Sequence, residues 1–462
     1  MMNSGSEAQW YPRSRILMKS MTEIKGVRPA PGLVASAPAS DTPPAVKIRH
    51  ETLANGLSVV LVEDRSRPLI NLQVWYHVGS KDEQAGRTGF AHLFEHLMFL
   101  GSKNVEPEQH MRYVRQAGGQ VNAYTNFDQT VYWETFPSNY LERMLWLESD
   151  RMATLDVSLE NFTKEREVVK EERRMRYENQ PYGLVMEAVL AETYKVYPYK
   201  HMPIGSVEDL EKASLKEVQD FHSTFYVPNN ATLILVGDFE AAEALKLVQK
   251  QFDGIPRGKE VPRVTAHEPA PNAPRFSEVK QANIPLPAVT LSWILPPLNH
   301  PDTYALDVAG IILSSGQSSR IYRKLVYEEQ LAQYAFGQAQ SLEGPSFFFG
   351  AAIVNQGKDI QQLSEGLQFV IQELAHTAPT GEELTKAKNQ LIAGFITGRE
   401  GVQAKGDSLG RCAVLLGDPQ RYNAELEQYR RVTAEDVRRV TAHYLKPQSL
   451  TRLVFPASPA HT

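Results

Sequence analysis

The sequence predicts an α/β (α+β) chain of two similar halves, each a mixed sheet packed with helices. Three observations predict it. First, residues 214–228 and 433–447 share one pattern at an offset of 219 residues. Each opens with a capping residue and places an acid three positions later (Ser214/Glu217, Thr433/Asp436). Each then carries Val218 or Val437, an aromatic residue (Phe225, Tyr444) and a closing proline (Pro228, Pro447). The capping boxes start a helix and the prolines stop it. Apolar strand segments follow, at 231–236 and 450–455. Second, residues 71–76 resemble residues 288–293 at an offset of 217. Third, strands and long helices intermix. Residues 57–62 follow an Asn55-Gly56 turn, and residues 141–152 and 162–177 read as helices. Intermixing of this kind sets helices against a sheet.

Composition narrows the function. The chain has 462 residues, 42% hydrophobic and 22% charged, which excludes disorder and fibres. A formal net charge of -5 argues against a nucleic-acid face. The single cysteine, Cys412, excludes an intrachain disulfide and any cysteine-rich metal site. A metal would have to be held by histidine and carboxylate. Cys412 itself reads as a small buried hydrophobe, and Trp75, Trp133, Trp146 and Trp293 read as core. No apolar run approaches the ~18 residues of a membrane helix.

Residues 1–45 read as a mobile tail, rich in Pro, Ala and Ser near its end. Its longest apolar run, Ile16-Leu17-Met18, is too short for an export signal, which leaves cytoplasm and periplasm both open. Residues 46–255 form the first half and 276–462 the second. Residues 256–275, with Pro256, Pro262, Pro269, Pro271 and Pro274, form a stiff, extended linker between them.

The first half carries His92-Leu-Phe-Glu95-His96 within residues 89–101, a stretch apolar nearly all round, as in a buried helix. Histidines four apart share one helical face, and neutral imidazoles so spaced can grip one zinc ion. Glu95 lies beside that face, placed to take a proton from water. Chance predicts roughly 0.04 such matches in a chain of this composition. Catalytic zinc takes three protein ligands and keeps one open position. The third is sought in residues 162–174, where Glu165 and Glu172 are seven apart on one face, with Val168 and Val169 helping that face pack inward. Alternating Glu, Lys and Arg ordinarily marks a solvated helix, so the residues alone leave Glu165, Glu171 and Glu172 open. His50, His110, His201 and His300 have no partner at ligand spacing.

His92-x-x-Glu95-His96 is the inverted zinc motif, and the chain from about residue 47 resembles the pitrilysin/insulinase family of metallopeptidases, in its processing-peptidase-like branch of short subunits. Residues 79–89 resemble the family's lead-in to the zinc helix, and Gly118-Gly-Gln-Val-Asn-Ala-Tyr-Thr125 its substrate-binding edge strand. Residues 165–172 resemble its distal carboxylate motif. The resemblance implies two halves facing each other across a cleft. It also implies one Zn2+ per chain, on His92, His96 and Glu172, with Glu165 as a supporting carboxylate. The reaction implied is peptide-bond hydrolysis with Glu95 as base. The substrate would be an extended, short or unfolded peptide paired along Val121, Asn122, Ala123 and Tyr124.

The second half departs from the first. Asp307, Gly310 and Ile311 stand where His92, Glu95 and His96 would repeat, so no second metal site is expected. The family's substrate-binding Arg and Tyr positions hold Val326 and Gln333, with Arg320, Arg323 and Tyr334 nearby but out of register. Lost donors weaken oxyanion stabilisation. The resemblance therefore implies a heterodimer with a similar subunit that lacks the zinc motif but supplies the Arg and Tyr, or, second, a homodimer. The alternatives are a non-catalytic core subunit of a larger complex and a presequence-processing peptidase.

Overall fold

A computed structural model describes residues 45–269 and 271–458. All of the expected tail but Ala45 lies outside the described residues. The first sheet is built from β1 (Arg49–Thr52), β2 (Ser58–Glu63), β3 (Leu69–Tyr76), β4 (Gln120–Thr125), β5 (Thr130–Pro137) and β6 (Ala231–Gly237). Its order is β1-β2-β6-β3-β5-β4. The second sheet is built from β7 (Arg275–Glu278), β8 (Ala288–Leu295), β9 (Ala332–Gln340), β10 (Ser346–Val354) and β11 (Thr451–Phe455), in the order β7-β11-β8-β10-β9.

Without β1 the two orders are the same. Only β2–β6 and β7–β11 run parallel; every other pair is antiparallel. The register repeats as well. Trp75 faces Thr232 and Ser292 faces Thr451, which reproduces the offsets of 217 and 219 read from the sequence. The capped helices are Leu215–Phe225 and Ala434–Tyr444, each opened by the expected capping box. The chain is thus two homologous α/β halves.

The halves also exchange a helix, which the sequence pattern does not announce. Helix Val185–Thr193 of the first half packs on β8 and β11. Its counterpart 217 residues on, Val402–Gly410, packs on β3 and β6. Thr193 Oγ1 meets Ser292 Oγ at 2.6 Å, and Gln73 Nε2 donates to Asp407 Oδ1 at 3.0 Å. Gly410 lies against the indole of Trp75, where any Cβ would overlap the ring. Trp75, Trp133, Trp293 and Cys412 are buried, as expected, and Trp146 is partly so. Burial raises the Cys412 thiol to about 11, well outside the reactive range.

Residues 256–269 carry neither helix nor strand and are pinned at several points. Buried Glu268 accepts the amides of Lys195, Val196 and Tyr197 at 2.7–2.8 Å. Arg263 donates to His77 O and Asn230 Oδ1.

A partly buried ionic group links the halves. Lys81 pairs with Asp128 at 3.1 Å and with Glu343 of the second half. Glu343 Oε2 also meets His77 Nε2 at 2.7 Å, and the Glu343 amide donates to Asp128 Oδ2. Burial opposes ionisation of Glu343, but His77 and Lys81 outweigh it and bring its pKa from 4.5 to about 2. A depressed carboxyl stabilises the fold above its unfolded pKa, and that contribution fades as pH falls through the folded one. Between about pH 4.5 and 2 the native chain should therefore lose thermal stability more steeply than Glu343→Gln. Parallel slopes in melting temperature against pH would contradict this.

Candidate metal centre

The motif helix, Phe90–Leu97, rests on β4 and β5 and against helix Leu159–Arg173. Phe90, Leu93, Phe94 and Leu97 are buried beneath it. Tyr132 donates to the Phe94 carbonyl at 2.7 Å from below. The helix starts at Gly89, whose φ of 95° favours glycine. Buried Glu83 accepts the amides of Gly89 and Ala91, satisfying two of the unpaired donors at a helix start.

Three donor atoms converge from the two helices. Glu172 Oε2 lies 3.2 Å from His96 Nε2 and 3.7 Å from His92 Nε2. Tetrahedral zinc with ligands at 2.0–2.2 Å sets those atoms about 3.3 Å from one another. The donor set therefore fits zinc with little movement. The remaining His96 nitrogen, Nδ1, meets Glu165 Oε2 at 3.2 Å, the outer carboxylate contact that orients metal-binding imidazoles. Glu95 Oε2 stands 4.0 Å from His92 Nε2.

The charges suit a cation. Burial, then His96, holds the His92 pKa down to about 3, so its imidazole is neutral. Burial opposes the His96 proton as well, but hydrogen bonds to Glu165 and Glu172 override it and bring the pKa to about 10. Glu172 is held at about 2 against burial, chiefly by His96. Without metal, the charged His96 ring donates Nδ1–H to Glu165 and Nε2–H to Glu172, and a divalent cation would displace the Nε2 proton. Burial raises the Glu95 carboxyl above its ordinary value, which makes it a better proton acceptor.

Glu171, the third carboxylate the sequence left open, points away and pairs with Arg174. Val168 is a correction: it is 43% exposed, and Val169 alone packs inward. Val168 stands about 100° round the helix from Val169 and falls outside the narrower stripe that this helix buries. Among the described residues β4 lies at the sheet edge, bonded to β5 alone. Val121 and Ala123 pack into the core and Tyr124 sits edge-on to Trp75 at 6.2 Å. Asn122 Oδ1 accepts the Ala123 amide. β4 thus offers a ligand its main-chain edge and, through Tyr124, a side chain in the cavity. Tyr124, Thr125 and Asn126 share one cavity with His92, Glu95 and Glu172. Arg176, Tyr177, Pro203 and Ile204 also line it and escaped the sequence reading. Arg176 had a findable signal, four residues after Glu172.

His110, which lacked a partner at ligand spacing, acquires two through the fold. Its Nε2 contacts Glu134 and lies 3.8 Å from Glu148, all of them buried. The Arg151 guanidinium pairs with Glu148 and lies over the Tyr132 ring, so a cation already serves this group. In the second half, Asp307 accepts from Tyr429 at 2.6 Å, and no metal-ligand group occurs there among the described residues.

Two homologous halves with a His-His-Glu centre in the first alone define a zinc-protease-like chain. Residues 58–205 match the family described as Insulinase (Peptidase family M16), and residues 212–391 match the Peptidase M16 inactive domain. The chain belongs to peptidase family M16. It is 32% identical to the zinc protease PqqE of Helicobacter pylori over 416 residues, 88% of this chain and 93% of that one. A crystal structure of a protease from Helicobacter pylori superposes with a TM-score of 0.85 at 30% identity, covering 89% of this chain and all of that one. The probable mitochondrial-processing peptidase subunit beta of Schizosaccharomyces pombe is 24% identical over 420 residues, 86% of this chain and 89% of that protein. No helix among the described residues is long and apolar enough to cross a membrane.

Proposed function

We propose that the chain is a zinc metalloendopeptidase acting on short or unfolded peptides, and that it works as the zinc-bearing subunit of a dimer. The observation that carries this reading is the convergence of His92, His96 and Glu172 beside Glu95, in a cavity that also takes in the end of β4. His92, His96 and Glu172 would hold one zinc ion, and Glu165 would steady the His96 ring. Bound zinc supplies Lewis acidity at the scissile carbonyl and makes water more acidic. Glu95 accepts the proton of the attacking water and returns it to the leaving amine. The substrate lies extended along the free edge of β4, held by main-chain hydrogen bonds.

The dimer reading rests on the second half. Val326 and Gln333 occupy the positions where the family's Arg and Tyr are expected. The nearby arginines are engaged elsewhere: Arg320 holds Glu383 through two bonds of 2.7 and 2.9 Å, and Arg323 pairs with Glu328 at 2.8 Å. Neither lines the cavity. A partner that brings a cationic donor would complete the site. The name of the fission-yeast relative, a subunit, is in keeping with such pairing.

The test is the zinc-loaded chain alone on a quenched, unstructured peptide. One zinc per chain without hydrolysis is expected, with turnover appearing when a zinc-less two-half partner is added. Turnover by the lone chain that disappears in Glu95→Gln would overturn the need for a second kind of subunit and leave the peptidase standing.

A further inference from the structure

Glu172 divides its two oxygens. Oε2 faces the histidines, 3.2 Å from His96 Nε2 and 3.7 Å from His92 Nε2. Oε1 is taken by Arg176 Nη1 at 2.6 Å. We propose that Arg176 is a positioning residue of the metal centre, which keeps Glu172 a one-oxygen ligand and so preserves an open position on the metal. The proposal rests on the reading of Glu172 as a zinc ligand.

The local backbone explains why Arg176 does this and its neighbours do not. Arg173, Arg174 and Arg176 all follow Glu172 closely. Arg173 turns inward to the Gly205 carbonyl, Glu178 and Glu187. Arg174 turns outward to Glu171. Helix Leu159–Arg173 then gives way to one wider turn, Arg174–Glu178, closed by the Asn179 amide on the Arg174 carbonyl at 2.9 Å. Such wider turns recur at functional sites. Arg176 sits on this turn, four residues after Glu172, the spacing at which helical side chains meet. Of the three arginines only Arg176 lines the cavity.

The chemistry follows from coordination. Catalytic zinc keeps three protein ligands and one open position. A glutamate that swings to bring both oxygens to the metal fills that position. A guanidinium bonded to the outer oxygen prevents the swing, because its planar donors fix the carboxylate's orientation as an ammonium would not. Arg176 is half-exposed, and exposed pairs add little to folding. Its effect should therefore appear at the metal and not in the stability of the chain.

The experiment compares Arg176→Gln, Arg176→Lys and Glu172→Gln in the full chain. Zinc affinity is measured by competition with a chromophoric chelator, coordination by the visible spectrum of the Co2+-loaded protein, and folding by the melting temperature of the metal-free form. Arg176→Gln is expected to weaken zinc binding about 10- to 100-fold, as loss of an outer carboxylate partner does. Its cobalt bands should shift as the second Glu172 oxygen takes the position otherwise left open, with the metal-free melting temperature unchanged. Arg176→Lys should recover part of the affinity. Zinc affinity and a cobalt spectrum both unchanged in Arg176→Gln would overturn the proposal, even if KM rose, since Arg176 would then act on substrate alone. If Glu172→Gln also left both unchanged, Glu172 itself would leave the ligand set, and the failure would belong to the metal-site reading.

Discussion

Glu95→Gln should reduce kcat of the peptide-hydrolysing assembly by about 10^2- to 10^4-fold, the range that a positioned proton acceptor contributes. The substitution is nearly isosteric, but an amide cannot take the proton of the attacking water. Glu95 lies outside the converging set formed by His92, His96 and Glu172, so zinc content should stay at one per chain. The raised pKa of Glu95 has burial as its first cause, and Thr125 beside it supplies a hydrogen bond that acts the other way. A glutamine there also removes a buried titratable group, so the melting temperature should not fall. The measurement is kcat with zinc content determined on the same sample. Retained turnover at full zinc occupancy would dismiss Glu95 as the base, whereas loss of zinc would make it a ligand.

Gly205→Ala should cripple the same site from outside the cavity's chemistry. Gly205 has φ 70°, and Gly89 has φ 95°; the two backbones touch at the start of the motif helix. A Cβ on Gly205 would overlap the nitrogen and Cα of Gly89 and the carbonyl carbon of Thr88. These are backbone atoms, which cannot rotate aside. The surrounding bonds hold the contact in place. The Gly205 carbonyl accepts from Arg173 at 2.6 Å, and the Ser206 amide donates to Thr88 Oγ1 at 3.0 Å. Left-handed strain and overpacking together put the destabilisation at about 2–5 kcal/mol. Relief of the overlap would displace Gly89, and with it His92 three residues on. Zinc affinity should therefore fall together with the melting temperature. Gly86 is the control: its φ is 77° but nothing lies within 4 Å of a Cβ there. Alanine at Gly86 carries the strain without the overlap, so equal losses at the two positions would refute the backbone contact as the cause.

The parts of the site that lie on one element were legible in the sequence. His92, Glu95 and His96 are spaced i, i+3 and i+4 on one helix, so one stretch of chain brings them together. The third carboxylate was legible only as a choice. Glu165, Glu171 and Glu172 lie on another helix, and which of them meets the histidines depends on how that helix is rotated against the first. The structure turns Glu172 to the two Nε2 atoms, Glu165 to His96 Nδ1 and Glu171 to Arg174. The exposure of Val168 has the same origin. Arg176 was missed because a basic residue in a charged run looks like a solvated face until its partner is known.

The sequence by itself determined the duplication, the capped helices, the strand pairs at offsets of 217 and 219, and the His-x-x-Glu-His motif that the first half carries and the second lacks. These are properties of local pattern: a capping box needs three residues and a strand needs six. The tertiary structure alone decided the exchange of helices Val185–Thr193 and Val402–Gly410 between the halves, and the Lys81–Asp128–Glu343 link. It alone gathered His110, Glu134 and Glu148 around Arg151. Apart from Glu148 and Arg151, which lie three apart on one helix, such contacts join residues tens to hundreds of positions apart, and each burial or ion pair forms only once both partners have been brought out of water into one packed interior. No spacing along the chain records them.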